Sequence, residues 1–231
     1  MPHVSPERIG SRLLIGDDWR KKEDVCRFIE YDLFNIVDDL ENLDDLPLIS
    51  ADDLLAKIEH GEPIDCDHVI INGDLDIRNL DLEKDEEGFS ITISPITIRH
   101  SLICGTVYLT TGIFKGNVDF LGSLFGCDAY FYESKLDGSL FQQSIFNGIA
   151  NFRNTEFISN GYFNKAIFYS DANFYQSQFN GGAFFNWCQF LDDINFGGSR
   201  VKGDAFSFKD ALFKDPRAQE EACRRAKNVC E

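Results

Sequence analysis

The chain has 231 residues and a formal net charge of −17 at pH 7, from 39 acidic and 22 basic side chains. Residues 1–98 hold 25 acidic and 9 basic residues, residues 99–213 hold 10 and 8, and residues 214–231 hold 4 and 5. The acid excess argues against binding nucleic acid or an anionic membrane surface, and no apolar run approaches the ~18 residues of a membrane span. No secretory h-region opens the chain, and its seven cysteines are odd in number, scattered and without a C-x-x-C pair. We therefore expect a cytoplasmic protein with reduced thiols.

In chain order, residues 18–40 carry Val25, Phe28, Ile29, Leu33, Ile36 and Val37 at helical spacing and predict an amphipathic helix. "ISADDLLAKIEHGEP" predicts a second one. Ser50 suits its N-cap, Asp52 and Asp53 its first turn and Gly61 its stop, with Leu54, Leu55 and Ile58 as the apolar stripe. "HVIINGDLDIRNLDL" (68–82) alternates like a strand, and the acidic "EKDEEG" (83–88) predicts an exposed loop. Large apolar residues then recur at Ile93, Ile98, Ile103 and Leu109, with Ile91, Ile96, Ser101 and Val107 two places before them.

Of the 22 Phe, 19 lie between Phe114 and Phe213, at steps that suit neither a helix face nor a strand alternation. The anchors alternate by five and six residues, with a small residue usually two places earlier, and every fourth anchor falls 21 or 22 residues on. This sorts them into four columns: Phe114, Leu136, Phe157, Phe179 and Val201; Phe120, Phe141, Phe163 and Phe185; Phe125, Phe146, Phe168 and Phe190; Phe131, Phe152, Phe174 and Phe196. A coil of four short strands, stacked on the next at ~4.8 Å, gives these columns. Anchor and small residue both point inward, as strand alternation requires. The fold class predicted is all-β: a right-handed quadrilateral parallel β-helix with short α-helices at both ends. Between Phe131 and Phe146 three steps of five follow each other, which predicts a tighter corner at Asp137–Gly138.

The small-x-Phe/Leu-x-x unit resembles the pentapeptide-repeat family, in particular a Phe-rich branch with eleven-residue pairs such as "ANFYQSQFNGG". "ADDLLAKIEHGEPIDCDHVIINGDLDIRNLDL" resembles the lead-in of that branch, and "QEEACRRAKNVCE" the helix that follows its coils. In that branch the helix often continues into further helices, sometimes into a membrane or channel-like region; the resemblance leaves open whether this chain is truncated and whether a full-length parent carries a membrane span. The boundaries expected are an acidic helical flank over 1–64, the β-helix over 65–213 and a C-terminal helix over 214–231. That helix starts at Asp215 as N-cap and Pro216 as first residue, with Ala222, Cys223, Ala226, Val229 and Cys230 on one face.

Chemistry is thin. The four His are dispersed, Asp17–Asp18 and Asp192–Asp193 are adjacent carboxylates on alternating sides, and no phosphate loop or nucleophile elbow is visible. The expectation is no enzyme, with no catalytic, cofactor or metal residues. Tyr162, Tyr169, Tyr175, Phe184 and Trp187 are the candidate outward aromatics for a partner. The leading reading is a scaffold or interaction module with an unknown protein partner. The alternative implied by the resemblance is a DNA mimic that binds a type II topoisomerase.

Overall fold

The computed structural model describes residues 46–203 and 205–225, so the helix expected at 18–40, the Asp17–Asp18 pair, Ala226, Val229 and Cys230 lie outside the described residues. From Leu48 to Phe213 the chain is a parallel β-solenoid of about eight turns, built of strands two to four residues long. The strands stack into four parallel sheets of seven, eight, six and six members. Following the chain from Ile64, sheet 1 starts at Ile64–Asp67 and ends at Phe206–Ser207. Sheet 2 runs from Leu48–Ser50 to Leu212–Phe213, sheet 3 from Leu75–Asp76 to Ile194–Asn195, and sheet 4 from Ser90–Thr92 to Arg200–Val201.

The registers reproduce the predicted columns. Leu136 pairs with Phe114 and Phe157, Phe146 with Phe125 and Phe168, and Phe157 with Phe179. Every column Phe from Phe114 to Phe190 is at most 1 % exposed, Phe196 is 5 % exposed, and Val201 packs at the core's edge. Rings within a column lie face to face, as with Phe146 and Phe168 at 4.9 Å and Phe157 and Phe179 at 4.4 Å. Rings of different columns meet edge to face, as with Phe152 and Phe163 at 5.2 Å. Both arrangements suit the aromatic quadrupole.

The alternation of five and six comes from two kinds of corner. A five-residue step spans the corners from sheet 1 to 2 and from sheet 3 to 4. There the third turn residue has positive φ, as at Gly122, Gln143, Lys165 and Trp187, or at Glu133, Asn154 and Gln176. The turn closes by hydrogen bonds such as Ser144 N–H to the Phe141 carbonyl. The inward residue after it then donates its side chain to the anchor carbonyl one coil back. Ser144 Oγ reaches Phe120 O at 2.7 Å, Thr155 Oγ1 reaches Phe131 O at 2.8 Å, and Ser177 Oγ reaches Phe152 O at 2.7 Å. The small inward positions of sheets 1 and 3 are mostly Ala or Gly, such as Ala129, Ala150, Gly161 and Ala183, and carry no such bond.

At the tighter corner, Leu136 and Phe141 both point inward with no exposed area, and Gly138 takes φ +68. The sequence register needs correction further upstream. Ile93 is 63 % exposed, and Thr92 pairs with Phe114 and is buried, with Ser90 opposite Gly112. The anchor is therefore Thr92, with Ser90 rather than Ile91 as its inward partner. The apolar Ile93 points outward because its corner carries one residue more than the spacing implied. At the far end the ladders continue past Val201. Phe206 occupies the small position opposite Ala183, Phe208 stacks on Phe185 at 5.1 Å, and Phe213 follows Phe190.

Both ends are covered. Helix α1 (Ala51–Glu59) starts at Ser50, whose Oγ accepts the Asp52 N–H, and buries Ala51, Leu54 and Ile58 against the first coil. Leu48–Ser50, just before it, pairs with Ile70–Asn72 and so already belongs to sheet 2. The loop at 83–88 is largely exposed, as expected. Helix α2 (Pro216–Arg225) starts where Asp215 Oδ1 accepts the Arg217 N–H at 2.9 Å, and Ala222 is buried. Cys66 and Cys188 are buried thiols, and burial raises the pKa of both. Cys127 is disulfide-bonded, which departs from the expected reduced set because scattered spacings hide such proximity.

Candidate functional site

Because the axis is filled with rings, the variable chemistry of this chain sits on its outside. Outward strand positions also form ladders, one residue per coil. On sheet 1, Tyr162 stacks on Phe184 at 5.2 Å, and Asn160 Nδ2 donates to Tyr162 Oη. The other predicted outward aromatics are not brought to this pair. Tyr169 follows sheet 2 and packs beside its outer aliphatic row, Tyr175 lies at a corner after sheet 3, and Trp187 lies at the corner between sheets 1 and 2. Tyr175 and Trp187 are 37 % and 49 % exposed. The five residues therefore make one stacked pair and three separate positions, not a strip.

Sheet 2 carries a second apolar ladder on its outer side. Ile70, Leu102, Leu124, Ile145 and Ile167 are in register, and the last four form a buried cluster separate from the interior. On sheet 3, Tyr108 stacks on Tyr130 at 5.0 Å, and the Arg78 guanidinium lies 3.6 Å from the Tyr108 ring centre. Burial, with a hydrogen bond to Asp128, pushes Tyr130 up to about 12.

Two groups of titratable side chains converge. Asp171, Asp192 and Asp193 share the outer side of sheet 3 near α2, where Lys214 pairs with Asp192. The Lys214 hydrogen bond holds the Asp192 carboxyl below its usual range. The second group is Asp67, His68 and His100, at the corner between sheets 1 and 2. Asp67 Oδ1 lies 2.9 Å from Nδ1 of both His68 and His100, and the two rings stack at 5.0 Å. Burial alone would raise the Asp67 pKa, but the His100 hydrogen bond and the neighbouring imidazoles outweigh it and hold the carboxyl below its usual value.

Sequence reading treated these histidines as dispersed, since 32 residues separate them. The separation equals the first register step, which pairs Ile64 with Ile96 and Asp67 with Arg99 and so sets His68 beside His100. The lengthened first coil, swollen by the 83–88 loop, hid that equivalence from a count of 21 or 22.

No helix among the described residues is long and apolar enough to cross a membrane. Compared with known proteins, residues 141–186 match the family described as pentapeptide repeats (9 copies). No curated protein matches the chain.

Proposed function

From the pentapeptide repeats that this chain carries, we propose that it is a non-enzymatic scaffold or protein-interaction module. The observation that carries this reading is the division of labour between inside and outside. Phe rings fill the axis from Phe114 to Phe208 and leave it to stability, while each coil displays its outward side chains at a fixed spacing. A rigid display of this kind presents a partner with a surface that costs little ordering on association. The Tyr162–Phe184 stack is the predicted aromatic contact, since aromatic side chains are enriched where interfaces gain most of their energy.

The test is cross-linking of the full chain in cells, followed by reconstitution with the purified partner. A scaffold gives a stoichiometric complex, weakened about tenfold or more by the double change Tyr162→Ala and Phe184→Ala in a chain that circular dichroism shows still folded. Failure to reconstitute any complex, or turnover of a substrate by the purified chain, would overturn the reading.

A further inference from the structure

We propose that Asp67, His68 and His100 form a binding site for a divalent first-row transition-metal ion at the corner between sheets 1 and 2. Asp67, His68 and His100 each offer one potential ligand atom, and these three atoms lie within 4.8 Å of one another. Two imidazoles and one carboxylate are a donor set that such ions take, and one that magnesium and calcium do not favour. The Asp67 carboxylate stands 2.9 Å from each ring nitrogen. At metal–ligand distances of about 2.1 Å, neighbouring ligands at a right angle are ~3.0 Å apart, whereas tetrahedral neighbours are ~3.4 Å apart. The spacing of carboxylate to each imidazole therefore fits two right-angled edges of an octahedral site.

The surroundings suit a cation. Asp65, Asp67 and Asp119 lie around Arg99, and Asp119, with no exposed area, already takes that guanidinium at 2.5 Å. Lys57 acts on the neighbouring Cys66 as well, so three carboxylates stand against two basic side chains, a formal excess of one negative charge. Space is available as well. In the next coil the equivalent position is Gly122, where an added Cβ would come within 2.6 Å of the His100 ring. Any larger residue there would displace the ring. Metal binding takes the Nδ1 lone pair of each ring, so each imidazole carries its proton on Nε2 in the loaded state. The site is thus built from the same left-handed corner that the other coils use for a turn, with His68 at φ 54 and His100 at φ 43.

The Asp171, Asp192 and Asp193 group offers carboxylates alone, and Asp192 is already engaged by Lys214, so it does not compete for this class of ion. The probe is Ni²⁺, titrated calorimetrically into the full chain without an affinity tag. Expected is one saturable site per chain, weakened at least about tenfold by His100→Gly and by Asp67→Asn. Glycine at 100 keeps the left-handed backbone, as Gly122 does in the next coil, so this variant should fold. A readout on the unaltered chain is the broadening of histidine ring resonances by substoichiometric Ni²⁺, which should reach His68 and His100 before His60. No saturable binding below about 1 mM, equal affinity in the variants, or earlier broadening of His60 would each overturn the proposal.

Discussion

Phe163 lies ring on ring between Phe141 at 5.1 Å and Phe185 at 4.9 Å, with Phe152 and Phe174 edge-on beside it. Truncation removes a fully buried ring that no neighbour is free to replace. Phe163→Ala should cost about 3–5 kcal/mol in denaturant melts. Phe184 is half-buried and stacks on Tyr162, so Phe184→Ala should cost about 1 kcal/mol or less. Equal losses would reject the assignment of inside and outside. The inward hydroxyls give a finer test. Ser144 Oγ donates to the Phe120 carbonyl, whereas Ser139 Oγ is buried with no hydrogen-bond partner. Ser144→Ala should destabilise by about 1 kcal/mol, and Ser139→Ala should be neutral or stabilising. Thr92 Oγ1 is likewise buried and unpaired, so Thr92→Val should raise the melting temperature.

The corner is the element that sets the period. Its third residue adopts positive φ whether it is Gly122, Gln143, Lys165 or Trp187, although this region costs a residue with a Cβ roughly 1 kcal/mol or more. Lys165→Gly should therefore be neutral or stabilising and Lys165→Val destabilising, a difference readable in the same melts. The opposite sign holds at the shortened corner. There a Cβ on Gly138 would lie 2.6 Å from Asn117 Oδ1 in addition to the strain at φ +68, so Gly138→Ala should destabilise the chain by about 1–3 kcal/mol. Were Gly138→Ala harmless, the account of the missing corner residue would fail.

At the scale of the molecule, charge decides between a scaffold and a DNA mimic. Mimicry needs carboxylates at regular intervals along the rod, because duplex phosphates are evenly spaced. The coils from Ile103 to Val201 instead carry Lys115, Lys135, Arg153, Lys165 and Arg200 among their acids, and residues 99–213 as a whole carry 10 acidic and 8 basic side chains. The full chain should not inhibit supercoiling by a type II topoisomerase. Inhibition retained after neutralising the acids of residues 1–98 would place the mimicry in the coils and overturn this reading.

The sequence by itself determined the solenoid, its four columns, the tighter corner and the capping of α1 by Ser50, because each follows from local spacing and backbone chemistry repeated coil after coil. It misplaced Ile93 because an isoleucine one residue from the true anchor satisfies a hydropathy count better than Thr92 does, and only cross-strand pairing with Phe114 fixes the register. It ended the ladders at Val201 because the step to Phe208 is seven residues, a corner the five-and-six rule does not contain. What only the tertiary structure decided is which distant outward residues meet. Asp67 and His68 meet His100 only because the first coil is 32 residues long, whereas Tyr162 and Phe184, 22 apart, follow the ordinary period. The length of that first coil, loop included, sets its register, and no local pattern records it.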